Sequence, residues 1–414
     1  MSNEFDFDTK NGWTHYADAA SQEQMDVLAA RYMDFLSHAK TERETVDLVV
    51  EALKAAGFSE DFKTDLVFRT YRGKAVFVAR KGKKPLASGV RLISAHTDAP
   101  RLDFKQRPLQ EQVGIGQAKT HYYGGIRKYQ WLARPLALHG VIIKEDGTSI
   151  KVVLGEDPGD PVFTIADLLP HLAPQQMKRP ATEIVRGEEL NLLVGSMPFN
   201  KDEESEQVKL NILNILHEKY GMTETDFLSA ELEAVPAFPV RELGFDRSMI
   251  GGYGHDDRVC AYPALRALLD CETPVHTAVT ILTDKEETGS DGNTGLCSSY
   301  LPYFLEDLAD CFGAKGRHVM HASQCLSADV NAAFDPTFPD VMEQKNCAYL
   351  NHGVCVTKFT GARGGGTVAA YIANLDIDTI DVGVPVLSMH APFEVVSKLD
   401  VYMTYRAFCT FIAS

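Results

Sequence analysis

The 414-residue sequence holds no run of about 20 apolar residues, the length a membrane-crossing helix needs. It has no basic cluster either. Lys and Arg number 41 against 57 Asp and Glu, a formal charge of −16, which excludes a broad nucleic-acid or anionic-membrane face. None of its eight cysteines forms a C-x-x-C pair, so neither a zinc finger nor a secreted disulfide framework is written here, and the thiols are expected buried and reduced. The first ten residues carry Glu4, Asp6 and Asp8 and lack the apolar core of a secretory signal, which predicts a cytoplasmic protein. Internal repeats and low-complexity tracts are absent too. What is present is an ordinary globular composition, 45% hydrophobic and 24% charged, long enough for two or three domains at roughly 100–200 residues each.

Two helices are expected within residues 24–57, the second opening at a capping box, Thr41 with Glu44, and closing at Gly57. Strands follow at Ala75–Arg80 and Val90–His96. From about Asp103 to Ala237 the texture changes to hairpins, with strands at 141–144 and 150–154 turning on Asp146-Gly147 and a helix over 207–220 closed by Gly221. Beyond it strands and helices alternate: strands at 277–283, 326–330, 348–359 and 379–389, helices near 301–312 and 367–374, and a last helix over 395–412. That alternation predicts an α/β sheet covered by helices on both faces, interrupted by a β-rich insertion.

Five polar islands each end, or just follow, an apolar strand-like run: His96-Thr97-Asp98, His255-Asp256-Asp257-Arg258, Asp284 to Gly289, Ser327-Ala328-Asp329 and Ser388-Met389-His390. Ligands of open α/β sheets bind at the carboxyl ends of strands, so islands distant in sequence can converge on one crevice. Each island alone is weak, because a lone His-x-Asp or acidic doublet is usually a satisfied pair or a solvated face. Together they offer two imidazoles and at least four carboxylates, a donor set suited to a pair of zinc-like ions. Without cations the clustered carboxylates would repel one another.

The segments SAHTDAPRLD, GGYGHDDRVCAY, DKEETGS, LSADVNAAFDP and VPVLSMHAPFE, in that order, resemble the M18 family of dinuclear zinc aminopeptidases, the aspartyl aminopeptidase and aminopeptidase I group, and its bacterial branch in particular. The likeness runs over nearly the whole chain. It implies a three-layer α/β/α metallopeptidase domain, zinc exopeptidase-like, over residues 1–103 and 238–414, with an inserted β-rich dimerisation domain over 104–237. It implies two zinc ions, replaceable by cobalt or manganese, held by His96, Asp256, Glu287, Asp329 and His390, with Asp256 bridging and Asp257 beside it. Asp98 would orient the His96 imidazole, and Glu286 would be the general base of N-terminal residue hydrolysis on peptides, with a preference for acidic residues open.

Substrate contacts are implied as well. His171 matches a histidine that family members lend to the pocket of a neighbouring subunit; otherwise it is a capping or buried residue of the insertion. Lys358 matches a basic position facing an acidic side chain or a carbonyl, or is an ordinary strand-end lysine. Gly366 and Thr367 belong to a glycine-rich turn flanking the site. The family assembles as a tetrahedral dodecamer built from dimers, so a homo-oligomer is expected, with no nucleic-acid or membrane partner. One departure stands out: Gly361-Ala362-Arg363 abuts Gly364-Gly365-Gly366, where family members carry a further stretch. The same two-metal core also serves carboxypeptidases and N-acyl amino acid deacylases. An inert scaffold on the fold would be expected to have lost a ligand, and none is missing.

Overall fold

The computed structural model describes residues 10–200, 205–358 and 367–414. Two compact units result, one of residues 1–99, 240–389 and 393–414 and a second of residues 100–239 and 390–392.

The first unit is built on a seven-stranded sheet. In spatial order its strands are Leu66–Tyr71, Ala75–Arg80, Thr277–Thr283, Val90–His96, Gln324–Ala332, Asp378–Val386 and Cys355–Thr357. The four from Thr277–Thr283 to Asp378–Val386 run parallel, and the flanking strands are antiparallel. Parallel strands are covered on both faces, and side chains here alternate between two cores accordingly. Val76, Val78, Ile93 and Ala95 join helices Ala19–His38, Glu42–Ala55, His255–Asp270 and Lys398–Ala413 on one face. Phe77, Ala79 and Leu92 join helices Tyr300–Cys311, Gly316–His321 and Thr367–Ala373 on the other. The fold is therefore the three-layer α/β/α arrangement, and the carboxyl ends of the parallel strands deliver His96, Asp284 and the end of Gln324–Ala332 to one edge.

Local chemistry explains the helix ends. Thr41 caps the second helix by accepting the Glu44 N–H. Gly221 closes Gln207–Tyr220 at φ +62, a conformation costly for residues with a Cβ. The second unit carries a six-stranded sheet whose pairs are all antiparallel, in the order Ser149–Leu154, Leu136–Ile143, Glu231–Pro236, Arg101–Gln112, Ile115–Tyr123 and Asn191–Gly195.

Four local expectations are corrected. The last helix does not begin at Val395: Glu394–Ser397 is a strand paired with Met249–Gly252, and Ser397 then caps Lys398–Ala413 by accepting the Leu399 N–H. β-branched Val395 and Val396 favour the extended form. The strand expected over 348–359 shrinks to Cys355–Thr357, because the Asp400 carboxylate accepts the N–H groups of Asn351 and Gly353 and folds that stretch into a turn. Helix His255–Asp270, not anticipated, carries Pro263 in its interior. The cysteines are all free thiols, but only Cys260 and Cys325 are buried. No helix among the described residues is long and apolar enough to cross a membrane.

Candidate metal centre

His96 is the last residue of a central strand and is 1% exposed. Its Nδ1 lies 3.0 Å from the Asp98 main-chain carbonyl and 3.2 Å from Asp98 Oδ1, which fixes the Nδ1–H tautomer and turns Nε2 the other way. Among the described residues Nε2 then faces three acids, Asp256 Oδ1 at 3.1 Å, Asp329 Oδ1 at 3.6 Å and Glu286 Oε2 at 3.8 Å. With Nδ1 already protonated, a lone pair at Nε2 facing carboxylate oxygens is repulsive unless a proton or a cation stands between them. Burial would push the imidazole down, but hydrogen bonds to Asp256, Asp329 and Asp98 outweigh it and hold His96 well above the usual histidine range.

The acidic doublet at 256–257 opens helix His255–Asp270, where both residues depart from helical φ and ψ and are joined by a cis peptide bond. The two side chains reach different atoms of His96, Asp256 the ring Nε2 and Asp257 the main-chain N–H. Asp257 is fully buried; its Oδ2 accepts the His96 N–H at 3.2 Å, and its Oδ1 is buried without a partner. Burial first, then the neighbouring Asp329 and Asp256 carboxylates, push Asp257 well up. His96, Asp257 and Asp329 each offer a donor atom within 4.8 Å of one another, and Asp256 and Glu287 likewise. Asp257, expected only beside the bridging Asp256, is itself one of the three donors grouped with His96.

Glu286 and Glu287 occupy a single short turn between Lys285 at φ +67 and Gly289 at φ +92. Asp98 holds that turn by accepting the Glu286 N–H on Oδ1 and the Glu287 N–H on Oδ2. Beneath it Asp284 accepts the Thr294 hydroxyl at 2.7 Å, and burial with the nearby Glu42 and Asp98 charges pushes its carboxyl up to about 7. Lys74 pairs with the fully buried Glu42 at 2.9 Å.

The donor set fits dications. Five carboxylates, Asp256, Asp257, Glu286, Glu287 and Asp329, gather with one imidazole, and the buried Asp257 Oδ1 has no hydrogen-bond partner among the described residues. Imidazole and carboxylate are ordinary zinc ligands.

The remaining expected residues are placed as follows. His390 belongs to the three residues that group with the second unit, where its Nδ1 lies 2.8 Å from the Gly125 carbonyl. His171 lies in an exposed turn of that unit, beside Leu168, Leu169 and Leu172, each at least half exposed, so it is not a buried histidine. Lys358 is exposed just past strand Cys355–Thr357. Thr367 opens helix Thr367–Ala373. Gly366 and the junction between Arg363 and Gly364 lie outside the described residues.

The chain matches the family described as aminopeptidase I zinc metalloprotease (M18) over residues 35–363 and again over 360–412. A probable M18 family aminopeptidase 1 of Clostridium acetobutylicum is 41% identical over 464 aligned residues, covering all of both chains. That span exceeds the 414 residues here by 50, so the relative has residues without a counterpart, and the split of the family match marks a break at 360–363. The crystal structure of an M18 aminopeptidase from Thermotoga maritima superposes with a TM-score of 0.93 at 41% identity, covering 98% of this chain and 99% of that one. The S. cerevisiae mApe1 dodecamer shares the fold at 20% identity, TM-score 0.76, covering 94% of this chain and 97% of that one.

Proposed function

The chain belongs to the M18 family of zinc aminopeptidases, and on that premise we propose that His96, Asp256, Glu287, Asp329 and His390 hold two zinc ions and that Glu286 is the general base. As a member it is a metallo-exopeptidase that releases N-terminal residues from peptides. The observation that carries the assignment is the His96 Nε2 atom ringed by Asp256, Asp329 and Glu286. Asp256, nearest to that nitrogen and also grouped with Glu287, is the bridging carboxylate.

Bound zinc supplies Lewis acidity, polarising a scissile carbonyl and lowering the pKa of water. The chain does the rest. Glu286, on the same turn as Glu287, takes the proton of the attacking water on its carboxylate and hands it to the departing amine. Asp98 aims both partners at once, the His96 ring through Nδ1 and the Glu286–Glu287 turn through two N–H bonds. Asp257 ties the bridging segment to the strand that carries His96.

The exposed His171 turn and its leucines support a role at a neighbouring subunit's pocket, the second unit serving as the dimerisation element of a dodecamer like that of the yeast enzyme. The free thiols suit a reducing, cytoplasmic setting. Lys358, Gly366 and Thr367 are assigned to substrate binding by the family resemblance, and a preference for Asp or Glu termini would be built by Lys358. The test is metal analysis of purified protein together with hydrolysis of Asp-, Glu- and Leu-terminated amides and their N-acylated forms. Two zinc ions per chain and cleavage restricted to free N-termini are expected; cleavage of N-acylated substrates instead would overturn the aminopeptidase assignment in favour of a deacylase.

A further inference from the structure

Among buried charged groups outside the donor set, Glu394 joins Asp98 in bonding directly to a member of it. It is 1% exposed, opens strand Glu394–Ser397, and its Oε2 accepts the Asp256 backbone N–H at 3.1 Å. That N–H stands at the start of a helix, where the first four donors have no intrahelical acceptor. Asp256, at φ −76 and ψ 108, is not helical. Its orientation is therefore not set by the helix ladder but by what holds it from outside.

The supporting strand is itself fixed. Glu394 is paired with Gly252 and Val395 with Gly251. A Cβ at Gly251 would overlap the Phe393 ring, so the bare glycine lets that ring close over the strand. On the other side of the segment, the hydroxyl of buried Tyr32 lies 2.7 Å from Nδ1 of His255, the residue before Asp256. The neighbouring Asp257 side chain accepts the His96 N–H. The 255–257 segment is thus gripped at three successive residues, and Glu394 is the grip on the bridging one.

We infer that Glu394 is a positioning residue for the metal centre: its carboxylate, by accepting the Asp256 N–H, sets the direction in which the Asp256 carboxylate projects toward the two ions. This rests on the assignment of Asp256 as the bridging ligand.

The test compares Glu394→Met, which keeps the volume and removes the acceptor, with Glu394→Gln, whose amide oxygen can still accept. Zinc affinity is read by chelator competition, and geometry by the visible absorption of the cobalt-substituted protein. The Met variant is expected to lose roughly 10–100-fold in metal affinity, as outer partners of ligands typically do, and to alter the cobalt spectrum. The Gln variant is expected to keep both. Should the Met variant not fold, Glu394→Asp, which withdraws the acceptor by one methylene, decides the same point. Wild-type affinity and spectrum in the acceptor-removing variant, or equal loss in the Gln variant, overturns the inference. Asp256→Asn is measured alongside. If it keeps both metals, the bridging assignment falls and the inference with it; if it loses them while Glu394→Met does not, only the role of Glu394 falls.

Discussion

The two oxygens of Asp98 are shared between Glu286 and Glu287, Oδ1 accepting one backbone N–H at 3.2 Å and Oδ2 the next at 3.1 Å. One buried carboxylate thus fixes the relative placement of the proposed base and the proposed ligand, which are adjacent in sequence. Asp98→Ala is expected to lower metal affinity and kcat together, each by roughly 10–100-fold, since both the His96 ring and the turn lose their anchor. Zinc titration beside steady-state kinetics checks this; a loss of kcat with unchanged zinc affinity would confine Asp98 to the turn.

Glu286→Gln keeps size and removes the proton acceptor. Zinc content is expected to stay at the wild-type value while kcat falls by roughly 10²–10⁴-fold, the usual contribution of general acid–base transfer. Metal analysis and turnover on the same sample decide it, and retained turnover refutes the assignment.

His171 is exposed in the second unit, so His171→Ala should leave thermal stability within about 0.5 kcal/mol of wild type. Loss of one substrate hydrogen bond predicts a roughly tenfold fall in kcat/KM. Mixed oligomers of His171→Ala and Glu286→Gln chains should recover activity, because each mutant lends the other what it lacks. No recovery on co-assembly would sink the shared-site reading.

Removal of metal by a chelator should abolish hydrolysis and lower the melting temperature, and zinc should restore both. Binding to the folded state alone adds about 2.7 kcal/mol at a free concentration of 100 Kd. Calorimetry across a zinc series measures the gain.

Asp400 titrates far from its ordinary range. Burial pushes its carboxyl up to about 7 despite the N–H bonds from Asn351 and Gly353. A carboxyl raised on folding binds its proton more tightly in the native state, so its contribution to stability is present below about pH 4 and is lost as pH rises toward 7. Asp400→Asn should remove this slope, up to ~1.4 kcal/mol per pH unit between pH 5 and 7. Urea unfolding at stepped pH reads the difference; an unchanged slope would show that Asp400 does not carry it.

Much of the sheet was legible because its strands are rich in apolar and β-branched residues; Val90–His96 and Thr277–Thr283 are read with the same ends that the structure has. The islands were legible because each follows such a run. What was hidden depends on contacts across the chain. Nothing local tells that Asp257 turns inward beside Asp256, since both are the same residue type and only their backbone angles part them. Val395 reads as the start of the last helix until Gly251 and Gly252 pair with the extended segment. The turn at 350–353 needs Asp400, nearly fifty residues later, to accept its N–H groups. Pattern reports periodicity; it does not report which distant acceptor a backbone donor will find.

The chain leaves the first unit at Ala99, immediately past Asp98, and re-enters it only at Val240. His96 and Asp256 are 160 residues apart in sequence, and Asp329 comes later still. During synthesis the imidazole therefore emerges long before the carboxylates its Nε2 will face, and the strand carrying Asp329 emerges last of the three. Contacts of such separation form late in folding. A nascent chain shorter than 329 residues lacks the Asp329 carboxylate, so under the proposed assignment the centre is completed only late in synthesis.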